Sequence, residues 1–252
     1  MRRAILLAAA FCAYGQHFEV ASVKAADAAQ AQVSRIDTDP AQFVQLNMPL
    51  VTLVSQAYRL KSYEYDGPAW LDTARYDINA KIPDGAPADQ VPEMLRNLLA
   101  ERFALKVHRE KREMTVYDLV VATGGPKFMG SRSAEPGGAD GYPTLPPEGG
   151  MDWTPDGKTA LRMQLTMEQL ASKLGSWVGR PVHDKTGLNG AYEIGLHWVD
   201  ELEPAISSAP NGARGPSIVK AVETQLGLKL KPTKGAVEVL VVDHAERVPT
   251  EN

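Results

Sequence analysis

Four segments of this chain repeat one short pattern: RYDINAKI from Arg75, VYDLVVA from Val116, AYEIGLHW from Ala191 and AVEVLVVD from Ala236. Each places an aromatic residue or valine before an acid and an aliphatic residue after it, the period-two alternation of a half-buried strand. Upstream of each lies a stretch of helical period. Leu50, Leu53, Val54, Ala57 and Leu60 precede the first, with Asn47 as N-cap, and Val91, Met94, Leu95, Leu98, Leu99 and Phe103 precede the second. Met167, Leu170, Ala171, Leu174, Trp177 and Val178 precede the third, where Thr166 and Gln169 have capping-box spacing. Ile218, Val219, Val222 and Leu226 precede the fourth. Gly179 and Gly227 stand where a left-handed residue closes a helix.

Between each helix and its acid-bearing strand the sequence leaves room for one more short strand, near Ser62–Asp66, Ala104–Arg109, Arg180–Asp184 and Leu228–Lys231. Turn residues follow at Asp66-Gly67-Pro68, Gly187–Gly190 and Lys234-Gly235. The pattern predicts an α+β protein of four helix-strand-strand units, forming antiparallel sheets with the helices packed on one face. Strand alternation turns Tyr192, Ile194, Leu196 and Trp198 toward the helices and Glu193, Gly195 and His197 away. A side chain that recurs in every unit is explained by what each unit needs in order to fold. Asp77, Asp118, Glu193 and Glu238 therefore read as strand acids paired with neighbouring bases, not as a reaction centre.

The segment 127–160 is rich in Gly, Pro and Ser and cannot build a core, so the expected organisation is two lobes, 16–126 and 161–252, joined by that linker. Residues 1–15 differ again. Arg2 and Arg3 precede an apolar run, Ala4–Ala13, that ends in Ala13-Tyr14-Gly15, the layout of a signal peptide cleaved after Gly15. That run is far shorter than a bilayer span, so the mature chain is expected not to cross a membrane. Cys12, the only cysteine, follows Phe11, which does not suit lipoprotein processing, and it leaves with the leader. Localisation is then periplasmic or extracellular, and the fold is held by burial and hydrogen bonds alone. Without the leader the chain has 25 basic and 31 acidic residues, and no basic stripe of the kind that binds nucleic acid.

The segments FEVASVK at Phe18, NMPLVTLVSQAY at Asn47, GPAWLDTARYDINAK at Gly67, MLRNLLAERFALKVHRE at Met94, VYDLVVATGGPK at Val116, GRPVHDKTGLNGAYEIGLHW at Gly179 and GPSIVKAVETQLGLKLKPTKGAVEVLVVDHAE at Gly215 together resemble a known family. It comprises secreted proteins of soil-associated bacteria, of unknown function and present in many copies per genome. The resemblance covers nearly all of the mature chain. It implies export and no established activity. Some relatives carry this region beside a membrane-bound sensor-type metallopeptidase, a segment this chain lacks, which implies a sensing role in the envelope. A looser similarity, in topology alone, exists to the docking modules at the N-termini of secretins and TonB-dependent receptors.

Residues able to carry chemistry are few. His183-Asp184 is the one adjacent His-acid pair, the candidate catalytic residues of a hydrolase without a signature motif, although strand neighbours point to opposite faces. The sequence has no GxSxG elbow and no HExxH, so neither a metal nor a cofactor is expected. Tyr63, Tyr65 and Trp70 cluster around the first turn, and Trp153 stands in the polar segment where no core requires it; these four are the candidate binding residues. The expectation is a non-enzymatic binding module whose partner is a protein or envelope component. The alternatives are the hydrolase and a sensor component acting with a membrane partner.

Overall fold

The structure is a computed structural model and describes residues 17–26, 35–36, 41–128, 141–144, 146, 149–154, 156–199 and 215–250. The expected leader and most of the Gly/Pro-rich segment lie outside these residues. The chain is α+β and divides into two compact units, the first Met1–Lys111 with Glu238–Asn252 and the second Arg112–Val237.

In the first unit, β1 (Val20–Ala25), β2 (Arg35–Ile36), β3 (Gln42–Pro49) and β5 (Arg75–Lys81) form an antiparallel sheet in the order β1-β5-β3-β2. Helices α1 (Leu50–Tyr58) and α3 (Val91–Phe103) pack together, and a short helix α2 (Trp70–Thr73) precedes β5. Their apolar stripes fall where the helical period predicts: Leu50, Leu53, Val54 and Ala57 are fully buried, as are Met94, Leu99 and Phe103. The Tyr76 ring meets Phe103 edge-on, with centroids 4.8 Å apart. Asn47 is not the N-cap of α1. Pro49 holds that position without a side-chain cap, and Asn47 takes a left-handed backbone (φ 56°) inside β3, where the register with β5 shifts. The strand β5 braces this bulge from both sides. The Asn47 N–H donates to Asp77 Oδ1 at 2.8 Å, and Arg75 Nη1 donates to the Asn47 carbonyl at 2.8 Å. Helices α1 and α3 end on Arg59 and Ala104, both left-handed without being glycine.

In the second unit, β7 (Gly150–Trp153), β8 (Lys158–Thr166) and β10 (Ala191–Val199) form an antiparallel sheet in the order β10-β8-β7. Helix α4 (Met167–Val178) starts at a complete Thr166/Gln169 capping box and ends at Gly179 (φ 63°), as its sequence predicts. Helix α5 (Ile218–Ala221) runs on as one π-helical turn, Val222–Leu226, closed by Gly227 (φ 65°). Leu161, Leu170, Leu174, Ile194, Leu196, Val222 and Leu226 form the centre of this core.

A further sheet has the order β4-β11-β6-β9, with β4 (Tyr65–Asp66), β6 (Lys106–Val121), β9 (Val182–Asp184) and β11 (Leu228–His244). Here the expected four helix-strand-strand units are corrected. Helices α1 and α4 are each followed by a short strand and then an acid-bearing strand. After α3 and α5 the two expected strands are one continuous strand, β6 or β11. Lys234-Gly235 is strand interior, not a turn. A Cβ on Gly235 would lie 3.0 Å from Val116 Cγ2, so glycine is there because Val116 packs against the backbone. The boundary between units falls inside these two strands, at Lys111/Arg112 and Val237/Glu238, whereas composition places it at 127–160. Each of the two strands runs through that boundary as a single element.

Candidate functional site

His183 and Asp184 lie in β9, which runs parallel to β6 with His183 beside Asp118 and Asp184 beside Leu119. The two side chains do different things. The His183 side chain is 52% exposed, with Nδ1 3.9 Å from Asp118 Oδ1. The Asp184 carboxylate accepts the Thr186 N–H at 2.9 Å and its hydroxyl at 2.8 Å, and Thr186 Oγ1 accepts the Leu188 N–H at 3.1 Å. Asp184 is thus the anchor of the DKTG turn and does not orient the imidazole. Among the described residues the acid beside His183 is Asp118.

Among the aromatic candidates, Tyr63, Tyr65 and Trp70 come together in the first unit, each with an intramolecular neighbour. The Lys61 ammonium lies 5.9 Å from the Tyr63 ring centroid, and the Arg247 guanidinium 5.1 Å from that of Trp70. Arg247 is held there because Tyr76 Oη donates to its carbonyl at 2.7 Å. The Tyr65 hydroxyl is buried against Gly67, and any side chain at Gly67 would displace it. Burial first, then the negative charges of Asp72 and Asp66, push the Tyr65 pKa up to about 12. Trp153 belongs to the other unit and is 67% exposed. It closes β7, an edge strand, two residues after Met151, which is 44% exposed. The two stand on one side of β7, opposite the buried Thr159 and Leu161 of β8, so they carry the core-facing side of the sheet out into solvent.

The four recurring acids do not share a cavity. Asp77 takes the N–H of the Asn47 bulge, Asp118 stands by His183, Glu193 pairs with Arg162 Nε at 2.7 Å, and Glu238 pairs with Arg109 at 2.5 Å. In each case the partner sits on a neighbouring strand.

Three further features have no signal in the local sequence. His108 of β6 hydrogen-bonds through Nδ1 to Asp243 of β11 at 2.8 Å, and its Nε2 lies 3.6 Å from Glu110. The Asp243 hydrogen bond raises the His108 pKa, with Glu110 adding to it. A groove of about 350 Å³ in the first unit runs between the start of β1 and α3, lined by Phe18, Val20, Met94 and Leu98 and flanked by the His17–Glu101 pair at 3.2 Å. In the second unit His197 is half-buried, where strand alternation alone points it to solvent. Tyr142 packs edge-on against its ring at 5.5 Å, and burial lowers its pKa. Residues 108 and 243 are 135 apart, and no periodicity links Tyr142 to His197, so only the fold reveals either contact. No group of three or more His, Cys, Asp or Glu side chains among the described residues could hold a metal ion, and no described helix is long and apolar enough to cross a membrane.

These features define an α+β protein of two compact units whose ionisable groups are distributed over its strands. The chain belongs to the family described as protein of unknown function (DUF3738), whose model matches residues 51–245. No curated protein and no solved structure matches it.

Proposed function

We propose that this protein is an exported binding module that meets a protein or envelope component through the β7 edge. The observation that carries the reading is the pair Met151 and Trp153, exposed side by side on an edge strand. An edge strand offers unpaired backbone groups to a partner strand, and two large apolar side chains beside it add desolvation energy and selectivity. Tyr63, Tyr65 and Trp70 belong to the other unit, where Lys61 lies over the Tyr63 ring, Trp70 faces Arg247 and the Tyr65 hydroxyl is buried. Export is supported by the basic and then apolar opening, Arg2 to Gly15.

The test is affinity capture from a cell-envelope extract with the mature chain as bait, run beside Trp153→Ala and Trp70→Ala. The reading predicts a partner that the wild type and Trp70→Ala retain and Trp153→Ala loses. Equal capture by all three baits, or loss with Trp70→Ala alone, would contradict it.

A further inference from the structure

We propose that His197 is an acid-operated release for the Tyr142–Pro143 segment, so that a proton arriving at its Nε2 frees that segment from the edge of β10. The geometry has three parts. His197 lies on the outer edge of β10, and the Gln225 side chain takes the place of a neighbouring strand there. The His197 N–H donates to Gln225 Oε1 at 2.9 Å, and Gln225 Nε2 donates to the His197 carbonyl at 2.7 Å. Gln225 reaches this edge from the π-helical turn, a departure from α-helical spacing that recurs at functional positions. The backbone at His197 is therefore fixed, and any response to acid falls on its side chain.

The second part is the imidazole itself. One ring nitrogen is hydrogen-bonded to Pro143, which offers only a carbonyl, so the imidazole is the donor. Nε2 is buried and has no hydrogen-bond partner among the described residues. Nδ1 is then the protonated nitrogen and Nε2 carries a lone pair facing no donor. A second proton would create a buried N–H with no acceptor and a buried positive charge, and both are costly.

The third part is the surroundings. On the His197 face of the sheet the register places Lys158 and Arg162 of β8 and Asp152 of β7, Tyr142 lies against the ring, and the helix and π-turn that carry Gln225 also bear Lys220 and Glu223. Lys158 Nζ lies 5.6 Å from the Tyr142 ring centroid, which places a positive charge against the segment. Among the described residues the nearby carboxylates are engaged elsewhere: Asp152 accepts the Trp153 N–H at 2.9 Å, Asp156 pairs with Lys158 at 3.7 Å, Glu193 with Arg162 at 2.7 Å and Glu223 with Lys220 at 3.1 Å. None of these holds an imidazolium at this position. Gly215 completes the seat, since a Cβ there would meet Tyr142 Oη and would lie 2.6 Å from Val199 Cγ2.

Burial lowers the folded pKa of His197, so when pH falls below the ordinary histidine value the open form binds the proton first. The closed form thus loses stability with falling pH, until the pH reaches its own lower pKa. One proton is linked to release, so the open-to-closed ratio rises by up to tenfold per pH unit across that window.

The test is fluorine NMR of 3-fluorotyrosine-labelled protein, with the Tyr142 resonance assigned from Tyr142→Phe. We expect a solvent-exposed Tyr142 signal to grow from pH 6.5 downward in the wild type, to show no such pH dependence in His197→Gln, and to be present at pH 7 in Gly215→Ala. A Tyr142 signal that stays buried to pH 4.5, or one that responds equally in His197→Gln, overturns the proposal. Should His197→Gln not fold, the carbon-proton titration of His197 in the wild type decides, and a pKa at or above the ordinary histidine value would sink it.

Discussion

Asp77 shows what the recurring acids do. An Asn47 backbone at φ 56° exposes an N–H and a carbonyl that a regular ladder would pair, and Asp77 and Arg75 satisfy one each. Replacing Asp77 with Ala leaves a largely buried N–H without its acceptor, and the expected cost is about 1–3 kcal/mol in chemical denaturation. Exposed pairs such as Glu193 with Arg162 are worth about 0–1 kcal/mol, so Glu193→Gln should lie near wild type in the same experiment. His108 titrates in the opposite sense to His197. Its hydrogen bond to Asp243 raises the folded pKa, so its contribution to stability is fully present below the ordinary histidine pKa and is lost as pH rises through the raised value. Carbon-proton NMR should place His108 above 6.5 and His197 below it, and Asp243→Asn should lower the first without moving the second.

At the scale of elements, the helices were legible and the long strands were not. The stripes of α1, α3 and α4, the Thr166 capping box and the glycine ends at 179 and 227 are all local patterns, and the structure reproduces them. Lys234-Gly235 looks like a turn because glycine is ambiguous in sequence. It serves a tight bend or a close approach equally well, and here Val116, more than a hundred positions earlier, decides between them. Gly235→Val should therefore destabilise the second unit by about 1–3 kcal/mol through overpacking against Val116, even though valine is the better strand former. Its thermal midpoint beside that of the double variant Gly235→Val with Val116→Ala, in which the clashing side chain is cut back, separates steric cost from general intolerance. The ends of α1 and α3 were equally hidden, because Arg59 and Ala104 adopt a glycine-like backbone with no glycine to announce it.

For the whole molecule, the candidate site was the least legible part, since its ingredients come from distant positions. His183 gains Asp118 as its neighbour instead of Asp184, Trp70 gains Arg247, and His108 gains Asp243. The first and last join neighbouring strands of one sheet and the second joins α2 to the C-terminal segment, partners too distant in the chain for spacing to encode. Trp153 was legible because an indole in a polar segment is conspicuous before any fold is known, and it remains exposed in the structure. The ionisable side chains hold strands and turns, and two large apolar side chains, Met151 and Trp153, stand uncovered together on β7, while Val20, Val219 and Val248 are exposed singly elsewhere. The most direct measurement is photocrosslinking in envelope preparations, with a photoreactive residue at position 153 and, in a parallel variant, at position 183. A discrete crosslinked partner from position 153 and none from 183 is predicted; a partner captured from 183 alone would contradict the account.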